Sequence, residues 1–282
     1  MPALSEPQTA SPSQAVSAKN PFVFVVGCPR SGTTLLQRML DAHPQLAVAN
    51  DSHFIPQAIN DFPVGVDPAL TPALVQRVRD NRRFQRLPLP PNALDQAVAN
   101  STTYGELVAH LYGAFGGLKG KPLGGEKTPD YVRKLPRLNS LFPHARFIHI
   151  IRDGRDVTLS TLEWAHEYKG PGHLPLWKEE PVATCALWWS WQVKLGQTEG
   201  AKLGALYHEI KYEDLVAEPE ERLRAIADFL GLPFAMSMVN FSEGKVRDQI
   251  GLSAKEAWLP ATKGCATGGR RCHRATRNCS RR

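Results

Sequence analysis

A parallel β-sheet with helices on both faces, interrupted by a helical insertion, is the fold the sequence predicts. Three observations place it in this α/β class. Pro21 to Val26 (PFVFVV) is a short unbroken apolar run, followed by the turn Gly27 to Gly32 and then by Leu35, Leu36, Met39 and Leu40 at helical spacing. ARFIHIIRD, around Arg146, repeats the design, with DVTLSTLEWAHEY as its helix. Ala205 to Tyr212 (ALYHEIKY) then leads into Pro219 to Leu230 (PEERLRAIADFL), closed by Gly231 and Pro233. Strands buried on both faces read as continuous apolar runs, and their alternation with helices implies a parallel sheet.

The remaining elements follow in order. The first helix stops near His43-Pro44, because a residue before proline avoids the helical region. About a hundred residues between the first two units read as helical and loop-rich, with an insertion spanning about 55–120. Within it, Thr103 to Glu106 forms a capping box continued by Leu107, Leu111 and Phe115 on one face. Residues 86–92 (RLPLPPN) read as a linker. The insertion is either the place where an acceptor is recognised or a plain helical layer. A helix over Val182 to Leu195 carries Trp188, Trp189 and Trp191, which are expected in the core.

Composition bounds the function. The 282 residues, 42% hydrophobic and 22% charged, suit one large globular domain and exclude the disordered, collagen-like and membrane classes. Residues 1–20 read as a disordered lead-in, 21–260 as the domain and 261–282 as a basic, disordered tail. The tail holds seven of the basic residues behind the net charge of +7 and no acid, leaving the body balanced. A nucleic-acid-binding face is therefore not expected. Without a signal-like start or a run of 18 apolar residues, no membrane span is expected and a cytoplasmic protein is. Cys28 and Cys185 belong to the domain; the sevenfold spacing of Cys265, Cys272 and Cys279 fits no common zinc pattern, and no pairing is implied.

The chemistry starts at GCPRSGTTLLQRML. Backbone amides of a glycine-bearing turn at a helix N-terminus form an anion cradle. The ATP and GTP version reads GxxxxGK[ST], its lysine on the β/γ-phosphates and its hydroxyl on magnesium. Here Gly27 and Gly32 keep the frame, but Thr33-Thr34 follows and the lysine is missing. The nearby cation is Arg30, permanently charged and fork-shaped, suited to terminal oxyanions without a metal.

PRSGTT after a buried strand resembles the 5′-phosphosulfate loop of sulfotransferases that use 3′-phosphoadenosine 5′-phosphosulfate (PAPS), in a P-loop-NTPase-like α/β fold. RDGRDVTLS resembles that family's 3′-phosphate motif, which implies Arg152 and Ser160 as its ligands. LDAHPQLAVANDSHFIP is similar to the segment bearing the general base in the tyrosylprotein sulfotransferase branch, where the family's glutamate corresponds to Asp51. GEKTPDY resembles the lysine-containing turn and implies Lys127 near the transferring group; IKYEDLVAEPEERLRAIADFLGLPF implies Tyr212 against the nucleotide. The resemblance covers roughly 21 to 235 and stops short of the tail, which reads as a divergent clamp, a basic arm or the product of a frame change.

The resemblance implies sulfonate transfer from PAPS to an acceptor hydroxyl on a small molecule, glycan, lipid or peptide, without a metal. The cofactor site is Arg30, Ser31, Gly32, Thr33, Thr34, Arg152, Ser160 and Tyr212. Asp51 is the first choice of base and His53 the second, with Lys127 and Arg30 stabilising the departing oxygen. The blander alternatives are a helix cap at Asp51, a surface histidine at His53 and a solvated loop lysine at Lys127. The rival functions are a P-loop nucleotide or small-molecule kinase and a nucleotide-binding homologue without turnover.

Overall fold

The computed structural model describes residues 19–168 and 174–242. Most of the lead-in and the whole tail, with its three cysteines, lie outside the described residues. Five strands, β1 (Val23–Val26), β2 (Leu46–Asn50), β3 (Leu123–Lys127), β4 (Arg146–Ile151) and β5 (Tyr207–Lys211), form one sheet in the order β2-β3-β1-β4-β5. Every neighbouring pair is parallel. All five carboxyl ends therefore open on one edge, and the strand order reverses around β1, where open α/β sheets bind ligands.

Two of these strands, β2 and β3, fall within the stretch read as helical and loop-rich. LAVAN is short, and LGGEK combines two glycines with two charges, so neither carries a strand's usual composition. Tertiary contact decides β3. A Cβ on Gly124 would lie 2.1 Å from the Tyr112 carbonyl oxygen, so the helix covering this face sits directly on the strand backbone.

Alternation along the strands divides the core in two. Phe24, Val26, Ala47, Ala49 and Phe147 face one apolar cluster; Val23, Val25, Leu46, Val48, Ile148 and Ile150 face the other. The second face is covered by α1 (Thr33–Asp41), which follows the β1 loop, and by the later helices α9 (Tyr212–Ala217) and α10 (Pro219–Leu230). The first is covered by the helices between β2 and β3, namely α2 (Phe54–Ala58), α3 (Pro72–Arg79), α4 (Ala93–Ala99) and α5 (Tyr104–Leu118), with α6 (Leu135–Leu141) behind β3. The capping box of α5 is formed: Glu106 N–H donates to Thr103 Oγ1 at 3.3 Å, and Thr103 N–H donates to the Glu106 carboxylate at 3.2 Å. Residues 86–92 are no free linker, since Leu87 is buried in this layer.

Two helices lie between β4 and β5, α7 (Gly154–Tyr168) and α8 (Pro181–Ala201). The tryptophans of α8 are not core residues. Its buried positions are Cys185, Gln192, Gly196 and Gly200, small or polar groups that let the helix lie close to the sheet. Trp191 is 47% exposed, and Trp188 and Trp189 are half-buried. His149 and His43 are structural: burial pushes the His149 imidazole down to about 4, and its Nδ1 lies 2.6 Å from the Tyr207 hydroxyl, while a His43 ring nitrogen lies 2.8 Å from the Pro233 carbonyl oxygen. The side chain of His166 lies outside the described residues. No helix among the described residues is long and apolar enough to cross a membrane.

Gly124→Val would force β3 away from α5. Overpacking of this kind costs about 1–3 kcal/mol, so the urea midpoint falls with an unchanged slope; Leu118→Ala, at an exposed position of α5, leaves it in place.

Candidate active site

Each strand delivers one sequence-predicted group to the common edge. The loop carrying Arg30 follows β1, Asp51 directly follows β2, Lys127 ends β3, Arg152 directly follows β4 and Tyr212 directly follows β5. Helix α1 opens at Gly32, in the left-handed region at φ 88°, with no side-chain cap. Its first amides lack intrahelical acceptors, so the cradle predicted from the glycines is formed. Glycine is required at 32 for a second reason: a Cβ there would lie 2.3 Å from the Tyr212 ring, which packs on the loop.

Lys127 supplies what the loop lacks. Its ammonium reaches Thr34 Oγ1 at 3.2 Å and Asp51 Oδ2 at 2.9 Å. Lys127 is 1% exposed and Asp51 29%, so a buried cation meets a carboxylate open to solvent. In the ATP frame the hydroxyl at position 34 would hold magnesium; here it accepts a hydrogen bond from an ammonium group.

The second cluster contains Arg30, Arg152, Ser160 and Tyr212. Arg30 Nε donates to Ser160 Oγ at 3.1 Å, so the loop arginine lies against the serine assigned to the other phosphate. Arg152 donates to the Arg30 carbonyl oxygen at 3.3 Å, lies 3.5 Å from Asp156 and stacks 4.5 Å from the Tyr212 ring centroid. Burial raises the Tyr212 hydroxyl, with Arg152 opposing it. Arg155 pairs with Asp153 rather than with Asp156. Two polar atoms of this edge, Ser31 Oγ and Arg152 Nε, are buried without a hydrogen-bond partner. Donors held in this way fit an anionic ligand.

His53 lies beside this edge, with its ring at an edge angle to Tyr131. Burial lowers its pKa below the ordinary 6.5, and Asp51 and Asp130 oppose the shift. Arg30, Asp51 and His53 all have positive φ, at 75°, 49° and 53°. Among the described residues only Asn92 and Leu176 are further non-glycine examples, so left-handed backbone concentrates where the predicted chemistry lies. Asp51 does not cap the short helix α2, whose N-cap is His53. Thr33 is buried at the start of α1.

The sequence reading missed Glu126. It precedes Lys127 on β3, so the two side chains leave the sheet on opposite faces, and Glu126 is fully buried. It also missed Trp189, whose indole N–H donates to the Arg152 carbonyl oxygen at 3.0 Å, and Gln192, whose amide reaches Cys28 Sγ at 3.6 Å. Adjacent acid and base at the end of a strand was the available signal for Glu126. Cys28 is a buried free thiol pushed upward by desolvation.

The chain is similar to known proteins. The chain is 26% identical over 225 residues to protein-tyrosine sulfotransferase 1 of Danio rerio, covering 79% of this chain and 56% of the relative. With protein-tyrosine sulfotransferase A of Caenorhabditis elegans it shares 26% over 256 residues, covering 85% of this chain and 61% of the relative. It thus spans little more than half the length of these relatives. The sulfotransferase domain from the curacin biosynthetic pathway has the same fold, with a TM-score of 0.58 at 21% identity, covering 85% of this chain and 82% of that one. A sequence model of the Sulfotransferase family matches residues 21–236, and the chain belongs to that family.

Proposed function

We propose that the protein transfers a sulfonate group from PAPS to an acceptor hydroxyl. The observation that carries this reading is the placement of Lys127 Nζ on Thr34 Oγ1. A cation from β3 donates to the hydroxyl that would hold magnesium in an ATP-binding loop, which favours an anion bound by side chains and amides alone. Arg30, Ser31, Gly32, Thr33 and Thr34 would hold the phosphosulfate end; Arg152, Ser160 and Tyr212 would hold the 3′-phosphate end. When bound, the nucleotide supplies an activated sulfonate: the acceptor O–S bond forms, the S–O bond to phosphate breaks, and adenosine 3′,5′-bisphosphate leaves.

The residues of the chain then have distinct tasks. The acceptor hydroxyl must lose its proton as it attacks, and Asp51, partly open to solvent beside Lys127, takes it. His53, neutral near pH 7 because burial lowers its pKa, orients the acceptor or shares the proton. Lys127 and Arg30 place positive charge where the departing oxygen becomes negative. The names of the two relatives support a phenolic hydroxyl of the tyrosine type as acceptor.

Calorimetric titration tests the nucleotide assignment. Adenosine 3′,5′-bisphosphate binds without magnesium, and Arg152→Ala weakens it about 10- to 100-fold, the worth of a charge-assisted contact. Preference for ATP with magnesium would sink the proposal. With phenol as acceptor, Lys127→Met lowers kcat about 10²- to 10³-fold and Asp51→Asn about 10²- to 10⁴-fold. An Asp51→Asn enzyme at full rate, with His53→Asn inactive, would move the base to His53.

A further inference from the structure

Behind the loop that carries Asp51 and His53 lies a carboxylate with no ion pair among the described residues. Glu126, fully buried on the α5 side of β3, accepts three hydrogen bonds: from the Ser52 backbone N–H at 2.9 Å, from the Tyr112 hydroxyl at 2.5 Å and from the Thr128 hydroxyl. The Ser52 amide sits between two residues in the left-handed region, Asp51 and His53. Neighbouring bonds finish the lacing. Asp51 N–H donates to the Lys127 carbonyl oxygen at 2.7 Å, the Ser52 hydroxyl lies 3.3 Å from that of Tyr112, and Ile55 N–H donates to the Tyr131 hydroxyl at 3.2 Å.

We propose that Glu126 is a positioning residue: its carboxylate, braced by Tyr112 and Thr128, holds the Ser52 amide and so fixes Asp51 against Lys127 on the opposite face of β3. The physical reasons are two. Non-glycine residues in the left-handed region are strained and persist only where surrounding structure over-determines them; two of them flank a single peptide N–H, which needs a strong acceptor. A carboxylate accepting three donors is such an acceptor, whereas burying it without a cation is costly unless those bonds serve a purpose. Burial raises the Glu126 pKa and the hydrogen bonds from Thr128, Tyr112 and Ser52 oppose it, so each lost donor weakens the clamp. The catalytic weight of the clamp rests on Asp51 being the base; its structural part does not.

The experiment separates the two. Glu126→Ala, Glu126→Gln and Tyr112→Phe are compared with wild type in transfer from PAPS to phenol, in binding of adenosine 3′,5′-bisphosphate, and in NMR titration of His53. His53 faces Asp51, Asp130, Arg83 and Lys127, but burial is the largest influence on it. Release of the loop therefore raises its pKa toward 6.5. Glu126→Ala is expected to shift His53 and to lower kcat about 100-fold, the cost of about 1 Å of misplacement, with nucleotide affinity changed less than twofold. Glu126→Gln, which keeps an acceptor oxygen for Ser52, restores most of the rate. Tyr112→Phe keeps the ring and shows the same split at about tenfold, and it decides the matter if the alanine variant does not fold. A lower melting temperature with kcat and His53 unchanged, or equal losses in binding and turnover, would overturn the proposal. If wild type sulfonates no phenol, the functional reading fails at that acceptor, and the His53 shift alone still decides whether Glu126 holds the loop.

Discussion

A lysine ammonium enclosed to 1% exposure must find partners, and the arrangement of the active-site edge follows from the way Lys127 finds them. An unpaired charge in such a place would be heavily destabilising. Lys127 meets Asp51 from β2 and Thr34 from α1, so one side chain ties together three elements that are distant in sequence. Its own backbone carbonyl accepts the Asp51 amide, which makes the connection two-sided. The ion pair is thus part of the structure of the β2–β3 edge as well as of its chemistry. The free energy it contributes is modest, because Asp51 remains open to solvent and burying the ammonium carries a cost of its own.

Parallel topology makes this convergence possible. With every strand running in one direction, the five carboxyl ends share an edge, and each contributes one polar group at or just after its last residue. Backbone strain is concentrated there too. Arg30, Asp51 and His53 each adopt a conformation that costs on the order of 1–3 kcal/mol outside glycine. Each strained residue has a brace nearby: Arg152 on the Arg30 carbonyl, Lys127 on the Asp51 amide, and Glu126 on the amide of Ser52, which lies between Asp51 and His53. Rigid braces of this kind set the positions of reacting groups without a ligand to order them.

How much of this was legible in the sequence depended on where the determining contacts lie. β1 and β4 announce themselves as apolar runs because they are buried on both faces, whereas the edge strand β5, with only Ile210 buried, is marked chiefly by the helices that follow it. β3 does not: LGGEK is a strand because α5 needs glycine backbone to rest on and because Glu126 and Lys127 find partners on opposite faces. The groups predicted for the site stand on local motifs attached to strand ends, which the sequence shows, while the contacts between them are not legible there. Arg30 reaches Ser160 across 130 residues, a meeting no spacing rule predicts. Glu126 escaped notice for the same reason, its partners being Ser52 and Tyr112. The tryptophans of α8 were misread by assuming that large rings seek the core, when close packing on the sheet reserved the buried face for small groups and left Trp188 and Trp191 stacked beneath Arg133.

The cations at this edge already have acceptors: Lys127 has Asp51, Arg152 has Asp156, and Arg30 has Ser160. An arriving anion therefore exchanges one set of partners for another and does not meet bare charge. The gain in affinity is smaller than the number of cations suggests, because most new contacts replace existing ones, Arg152 Nε and Ser31 Oγ being the donors at this edge still without a partner among the described residues. The exchange has a second effect. Under the proposed function, phosphate and sulfonate oxygens drawing Lys127 toward the loop would free the Asp51 oxygen that the lysine holds to accept a proton. A carboxylate occupied until then would be withheld from unproductive proton transfer, and the Glu126 contact to the Ser52 amide would keep it in position on release. The same ion pair would thus stabilise the empty edge and couple binding to the start of chemistry, without requiring a large movement of the sheet or its helices.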